Sequence, residues 1–194
     1  PLLPDMAGLT KIIQDLHATD AATTPYKRLI AELGKAGKDI LNLEDVLTYI
    51  RSMKEVSTGG GTVRGFTEDE LKVLETEICS TIAHAVSKDL PDGDNSYRRF
   101  ARWVSSIDRL APIEIFTTNY DLLLEQALEE QCVPFFDGFT GSRFPFFDIH
   151  SVEENELPTY WARLWKLHGS VNWKSMPRGI CRVSKGTHGS PELI

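Results

Sequence analysis

Hydrophobic positions along the chain follow two different rhythms, and the change falls near Pro112. Before it, apolar residues recur at the three-to-four spacing of amphipathic helices. Met6, Leu9, Ile12, Ile13 and Leu16 predict a helix from Asp5 to Ala18. Pro25, a residue suited to a first helical turn, opens a second, with Leu29, Ile30 and Leu33 inward and Gly34 or Gly37 at its end. Asn42 is placed to cap a third from Leu43 to Val56, and Glu44 and Asp45 favour its positive amino end. Thr67-Glu-Asp-Glu70 spells a capping box before a long helix through Leu71, Leu74, Ile78, Ile82 and Val86. A fifth helix is predicted after Asn95, burying Tyr97, Phe100, Trp103, Val104, Ile107 and Leu110.

After Pro112 the runs are shorter and richer in β-formers. Ile113 to Thr117 reads as a strand, and Tyr120 to Glu130 as a helix on Leu123, Leu124 and Ala127. Strand, polar turn and helix make half of a Rossmann-type unit. Trp161 to Leu167 and Ile180 to Val183 are further strand candidates. Val133-Pro-Phe-Phe136 and Phe144-Pro-Phe-Phe147 fit either strands or loops packed over a pocket. The expected architecture is α/β, a Rossmann-like parallel sheet over about residues 111–194, with a large helical insertion filling about residues 5–110. The glycine-rich stretch Ser57 to Gly65 follows a helix and precedes one that has its own Thr67 cap. A phosphate cradle follows a strand and opens directly onto a helix, so this stretch is expected to be a mobile connector.

Composition narrows the class. The 194 residues suit one domain, or one with an insertion, and 41% hydrophobic with 25% charged residues is ordinary for a globular chain. With 21 basic against 28 acidic residues the net charge is -7, which argues against direct nucleic-acid binding. Arg98, Arg99 and Arg102 form one local basic group, expected on a solvated helix face. Three cysteines, none in a CxxC pair, cannot make a structural zinc site and fit a reducing, cytoplasmic setting. No apolar run approaches the roughly 20 residues needed to cross a bilayer. Asp148 and His150 lack further ligands at metal-binding spacing, so no metal is expected; His17, His84 and His188 carry no chemical company either.

Two segments carry candidate chemistry. In Thr117-Thr118-Asn119-Tyr120-Asp121 a strand ends in hydroxyls and a carboxamide, groups suited to a sugar or a positioned water. On these residues alone, Asn119 or Asp121 is more simply a helix cap. In Leu167-His168-Gly169-Ser170, a histidine able to move protons near neutrality precedes a residue without Cβ, which permits close approach of a ligand. Ligands of open α/β sheets bind beyond the carboxyl ends of the strands, so Asn119 and His168 are expected to face one cavity.

In order and spelling these segments resemble the sirtuin-like (SIR2-like) family. Thr-Thr-Asn-Tyr-Asp at 117–121 is similar to that family's Thr-Gln-Asn-Ile-Asp signature, in the form typical of the bacterial antiphage-defence NADase branch. His168-Gly169 resembles its catalytic His-Gly motif, and Ser170-Val-Asn-Trp173 extends the bacterial match. Asn42-Leu-Glu-Asp-Val-Leu47 is similar to a weaker helical signature of the same branch. The resemblance implies cleavage of NAD+, as substrate, at the nicotinamide–ribose bond. It assigns the base to His168, orientation of ribose or water to Asn119, and contacts with NAD+ to Asp121, Thr117, Thr118, Gly169 and Ser170. On the same ground Phe139, in Asp137-Gly-Phe139, is expected to cover the pocket. It further implies a homo-oligomer or a sensor protein as partner. Alternatives are an NAD+ or ADP-ribose-binding regulatory module, or a deacylase or ADP-ribosyl transferase, the last disfavoured because zinc-module cysteines are missing. The family's Gly-Ala-Gly-x-Ser loop and last strands have no counterpart in residues 1–194, so Pro1 to Pro4 is expected to lie just downstream of that loop and Pro191 to Ile194 before those strands: a partial SIR2-like NAD-binding domain.

Overall fold

The computed structural model describes residues 2–18 and 24–183. Pro1, His188 and Pro191 to Ile194 lie outside the described residues. The chain divides into two compact units between Ala85 and Val86.

The first unit is helical. Its elements are α1 (Met6–Leu16), α2 (Pro25–Lys35), α3 (Leu43–Ser57), a hairpin of β1 (Thr62–Val63) and β2 (Phe66–Thr67), and α4 (Glu68–Val86), whose last residue crosses the division. Capping residues start the helices where the spacing predicts. Asp5, Thr24 and Asn42 accept from Gly8, Lys27 and Glu44 N–H. The Thr67–Glu70 box closes both ways, at 3.0 and 3.2 Å. Ile13, Leu29, Leu33, Val46, Ile50, Leu71 and Ile78 are fully buried, whereas Ile12 and Leu16 are exposed. The glycine-rich stretch is a turn and hairpin, with Gly59, Gly60, Gly61 and Gly65 at positive φ. Glu75 ties α4 to α3 through Arg51 at 2.8 Å and through Lys54. Its burial favours the neutral acid, yet the two cations hold its pKa below the ordinary value.

The second unit is α/β. It opens with α5 (Ser96–Ser106), capped by Asn95, followed by β3 (Glu114–Thr117), α6 (Leu123–Glu130), β4 (Phe135–Phe136), β5 (Phe139–Thr140), β6 (Phe146–Phe147), α7 (Ile149–Glu154), β7 (Ala162–Lys166), β8 (Trp173–Met176) and β9 (Gly179–Arg182). Three strands form a parallel sheet in the order β3-β7-β4, compatible with a Rossmann-like fold. The central strand buries Ala162 and Leu164, and α5 and α6 contribute Ala101, Val104, Leu123, Ala127 and Leu128 to the core. Its other face carries Arg163, 1% exposed, whose guanidinium donates to Asn155 Oδ1 at 2.7 Å and to the carbonyls of Leu157 and Trp161 at 3.1 Å.

Two expectations need correction. Trp103 is half exposed within α5, and Ile107 and Leu110 are exposed because α5 ends at Ser106 and the apolar run continues into a loop. Arg99 and Arg102 sit on a solvated face against Asp94, but the Arg98 side chain is mostly buried and grips Glu130 bidentately at 2.6 and 3.0 Å. The aromatic runs at 133–136 and 144–147 both end in strands. Of these, β6 joins a four-stranded antiparallel sheet, β5-β6-β9-β8.

That second sheet is organised by aromatic rings. Phe139 packs against Phe147 and Trp173, with centroids 5.6 and 5.2 Å apart. Arg182 lies over the Phe139 ring and pairs with the buried Asp137 at 2.5 Å. Phe139 is thus a core ring. Gly138 has φ +89°, and a Cβ there would meet the Phe147 ring at 2.5 Å. Gly138→Ala is therefore expected to lower stability by about 1–3 kcal/mol, through strain and overpacking together. Urea denaturation followed by tryptophan fluorescence checks this, and an unshifted midpoint would mean that the Phe147 ring yields freely.

Candidate functional site

The site is built by the register of two neighbouring strands. β3 and β7 run parallel with Thr117 opposite Lys166, so Asn119 and His168 each follow the last paired residue by two positions. Pairing continues past the strand ends. Leu167 N–H donates to Thr117 O at 2.9 Å, and Val171 N–H to Tyr120 O at 3.0 Å. The rings of Tyr120 and His168 stand 6.5 Å apart between centroids. Two polar turns, far apart in sequence, thereby lie side by side at the carboxyl end of the parallel sheet, where ligands of such sheets bind.

Each turn has a local cause. Thr117 Oγ1 accepts from Asn119 N–H at 3.1 Å, which bends the chain out of β3 and leaves Thr118 and Asn119 exposed. Gly169 has φ +82°, a left-handed conformation that explains a residue without Cβ directly after His168. His168 is half-buried, and Ser170 is fully buried with its hydroxyl 3.4 Å from Tyr120 O. Asp121 is 5% exposed, and its Oδ1 accepts from Leu123 N–H at 2.9 Å at the head of α6. Burial, reinforced by the Asp121 charge, pushes the Tyr97 hydroxyl pKa up. Asp121 thus braces the turn that leads into α6, whose N-cap residue, Leu122, has no side-chain cap hydrogen bond.

Behind the turns lies a cluster that sequence reasoning missed. Lys166, at the end of β7, sends its ammonium to Asp121 O, to Glu125 Oε1 at 2.8 Å, and to within 3.5 Å of Tyr120 O. The side chains are only 2% and 13% exposed. Burial raises the Glu125 pKa, and the Lys166 charge opposes that rise. A signal was present in the sequence. Side chains two apart on a strand share a face, which puts Lys166 in line with Ala162 and Leu164 and so inside.

A cavity of about 590 Å³ opens beside these turns. Leu122, Glu125, Asp137, Val171, Asn172 and Arg182 are among its walls, so it begins three residues beyond Asn119 and three beyond His168. Neither of those two residues lines it. Asp148 caps α7 through Ser151 N–H at 3.3 Å, and His150 stands 3.2 Å from Glu154. Among the described residues no group of three His, Cys, Asp or Glu is placed to hold a metal ion, and no helix is long and apolar enough to cross a membrane.

Residues 113–181 match the family model of the SIR2-like domain. The matched span starts at the residue before β3 and ends within β9, taking in both polar turns. It supports a relationship to SIR2-like domains, which occur in NAD-processing enzymes, over that part of the chain. No curated protein matches the chain.

The Asp121–Leu123 hydrogen bond yields a test. Asp121→Asn retains a side-chain oxygen for Leu123 N–H and is expected to keep most of the stability, whereas Asp121→Ala should cost about 1–2 kcal/mol. Denaturant midpoints of the two variants check this. Equal losses would mean that the carboxylate charge, and not the hydrogen bond, holds the turn.

Proposed function

We propose that the protein is an NAD+ glycohydrolase that breaks the bond between nicotinamide and ribose. The observation that carries this reading is the in-register pairing of β3 with β7, which brings the Asn119 and His168 turns together. The match to SIR2-like domains over residues 113–181 supplies the NAD connection.

The residues present suit that substrate. Hydroxyls and a carboxamide at 117–119 match the ribose, and Gly169 leaves room beside His168. Asn119 orients the ribose or a water molecule. His168 takes the proton from that water as its oxygen bonds to the anomeric carbon. The carbon–nitrogen bond breaks in the same passage, and its electron pair leaves with neutral nicotinamide. Thr117, Thr118, Gly169 and Ser170 shape the approach, while Asp121 acts from behind by fixing the head of α6. A placed base contributes about 10²–10⁴-fold, and orientation supplies much of the remainder.

The bacterial spelling of both motifs extends the proposal to a cytoplasmic effector that depletes NAD+ in antiphage defence, silent until it assembles with further copies or with a sensor protein. One observation favours a second reading, a binding module for NAD+ or ADP-ribose without turnover. The cavity's walls include neither Asn119 nor His168.

Incubation of the intact protein with NAD+ separates the two by the appearance of free nicotinamide. Nicotinamide release is expected, with losses of about 10²-fold or more in His168→Ala and in Asn119→Ala. Binding without release would favour the module, and full activity in either variant would remove that residue from the mechanism.

A further inference from the structure

A buried ion pair is a weak source of stability, since two apolar side chains of similar volume often serve as well or better. The Lys166–Glu125 pair therefore calls for a role in geometry. Three features of its setting point to one. Lys166 lies two residues before His168 on the same strand-to-turn segment. Its acceptors, the carbonyls of Tyr120 and Asp121, lie one and two residues after Asn119. An ammonium has three donors, and here three acceptors surround it: two backbone carbonyls of one turn and a carboxylate of α6. Tyr120 O also receives Val171 N–H and the Ser170 hydroxyl, so the same carbonyl is held from the far side of the histidine turn. The Lys166 side chain reaches from the last position of β7 to the carbonyls of the neighbouring turn.

We propose that Lys166 is a positioning residue, whose ammonium locks the Asn119 turn against the His168 turn at the separation that the chemistry requires. The proposal rests on the glycohydrolase reading above. Glu125 holds the ammonium from α6, at 2.8 Å.

The test uses the intact protein and removes both charges together, so that no lone ion is left buried. Lys166→Met with Glu125→Leu is expected to fold with a thermal midpoint near that of the parent and to keep its KM for NAD+ within a few-fold. Its kcat should fall by about 10–100-fold, the scale expected when reacting groups shift by about 1 Å. A folded double variant with parental kcat would overturn the proposal, as would a kcat that falls only in step with the folded fraction. Failure of the glycohydrolase reading shows separately, as a parent that releases no nicotinamide. In that case amide hydrogen exchange decides the clamp: faster exchange at Leu123 and Val171 in the double variant supports it, and unchanged exchange rules it out.

Discussion

The hydrogen-bonded register of β3 against β7 is the constraint on which the candidate site depends. Parallel strands share no hairpin to fix their alignment, so packing must set it. Here Ala162 and Leu164 are fully buried on one face of β7 and Arg163 on the other. A slip of one residue would exchange those faces, sending the arginine toward the helices and the small apolar residues toward the carbonyl cage. Neither surrounding would accept the exchange. The register therefore extends past Thr117 and Lys166 into the two turns, where Tyr120 O serves as the common acceptor.

The two buried cations of β7 meet the cost of desolvation differently. Arg163 spreads its donors over Asn155 and neighbouring backbone carbonyls, and burial lowers its pKa from the ordinary arginine value. Lys166 combines carbonyls with the Glu125 carboxylate. Arg163 anchors the body of the strand to the loop after α7, while Lys166 anchors its carboxyl end to the turn before α6. One strand is thus fixed along its length and oriented at its tip. The antiparallel sheet adds support beyond the histidine turn, because Trp173 N–H returns to Ser170 O at 3.1 Å and the Trp173 ring packs on Phe139.

Much of this was legible in the sequence, for identifiable reasons. The Asn42 cap and the Thr67–Glu70 box announce helices because a short polar side chain before an apolar stripe satisfies free N–H groups at once; Asp5, Thr24 and Asn95 do the same in the structure. The strands around Ile115 and Leu164 announce themselves by β-branched and aromatic runs ending in polar turns. The antiparallel sheet was illegible in its arrangement because β5 and β6 hold two residues each, too few for any period to show. Ile107 and Leu110 misled because spacing reports which residues share a face, not where a helix stops. Lys166 was legible only through its alternation with Leu164, which puts a residue type that is ordinarily solvated on a buried face.

The disposition of the carboxylates bears on which bond-breaking chemistry the site suits. Glycosidases that expel a poor leaving group bring two carboxyl groups to the reacting bond, one to protonate it. Here the carboxylates nearest the turns are both engaged inward. Asp121 is held by Leu123 N–H and Glu125 by Lys166. An acid and base pair of that kind cannot be assembled from them without dismantling the support of the turns. A cationic nicotinamide leaves as a neutral molecule and needs no proton, so a reaction of that class requires only orientation and a base. The arrangement spends its buried charge on holding backbone in place and leaves a carboxamide and an imidazole at the rim, which is the division of labour such a leaving group permits.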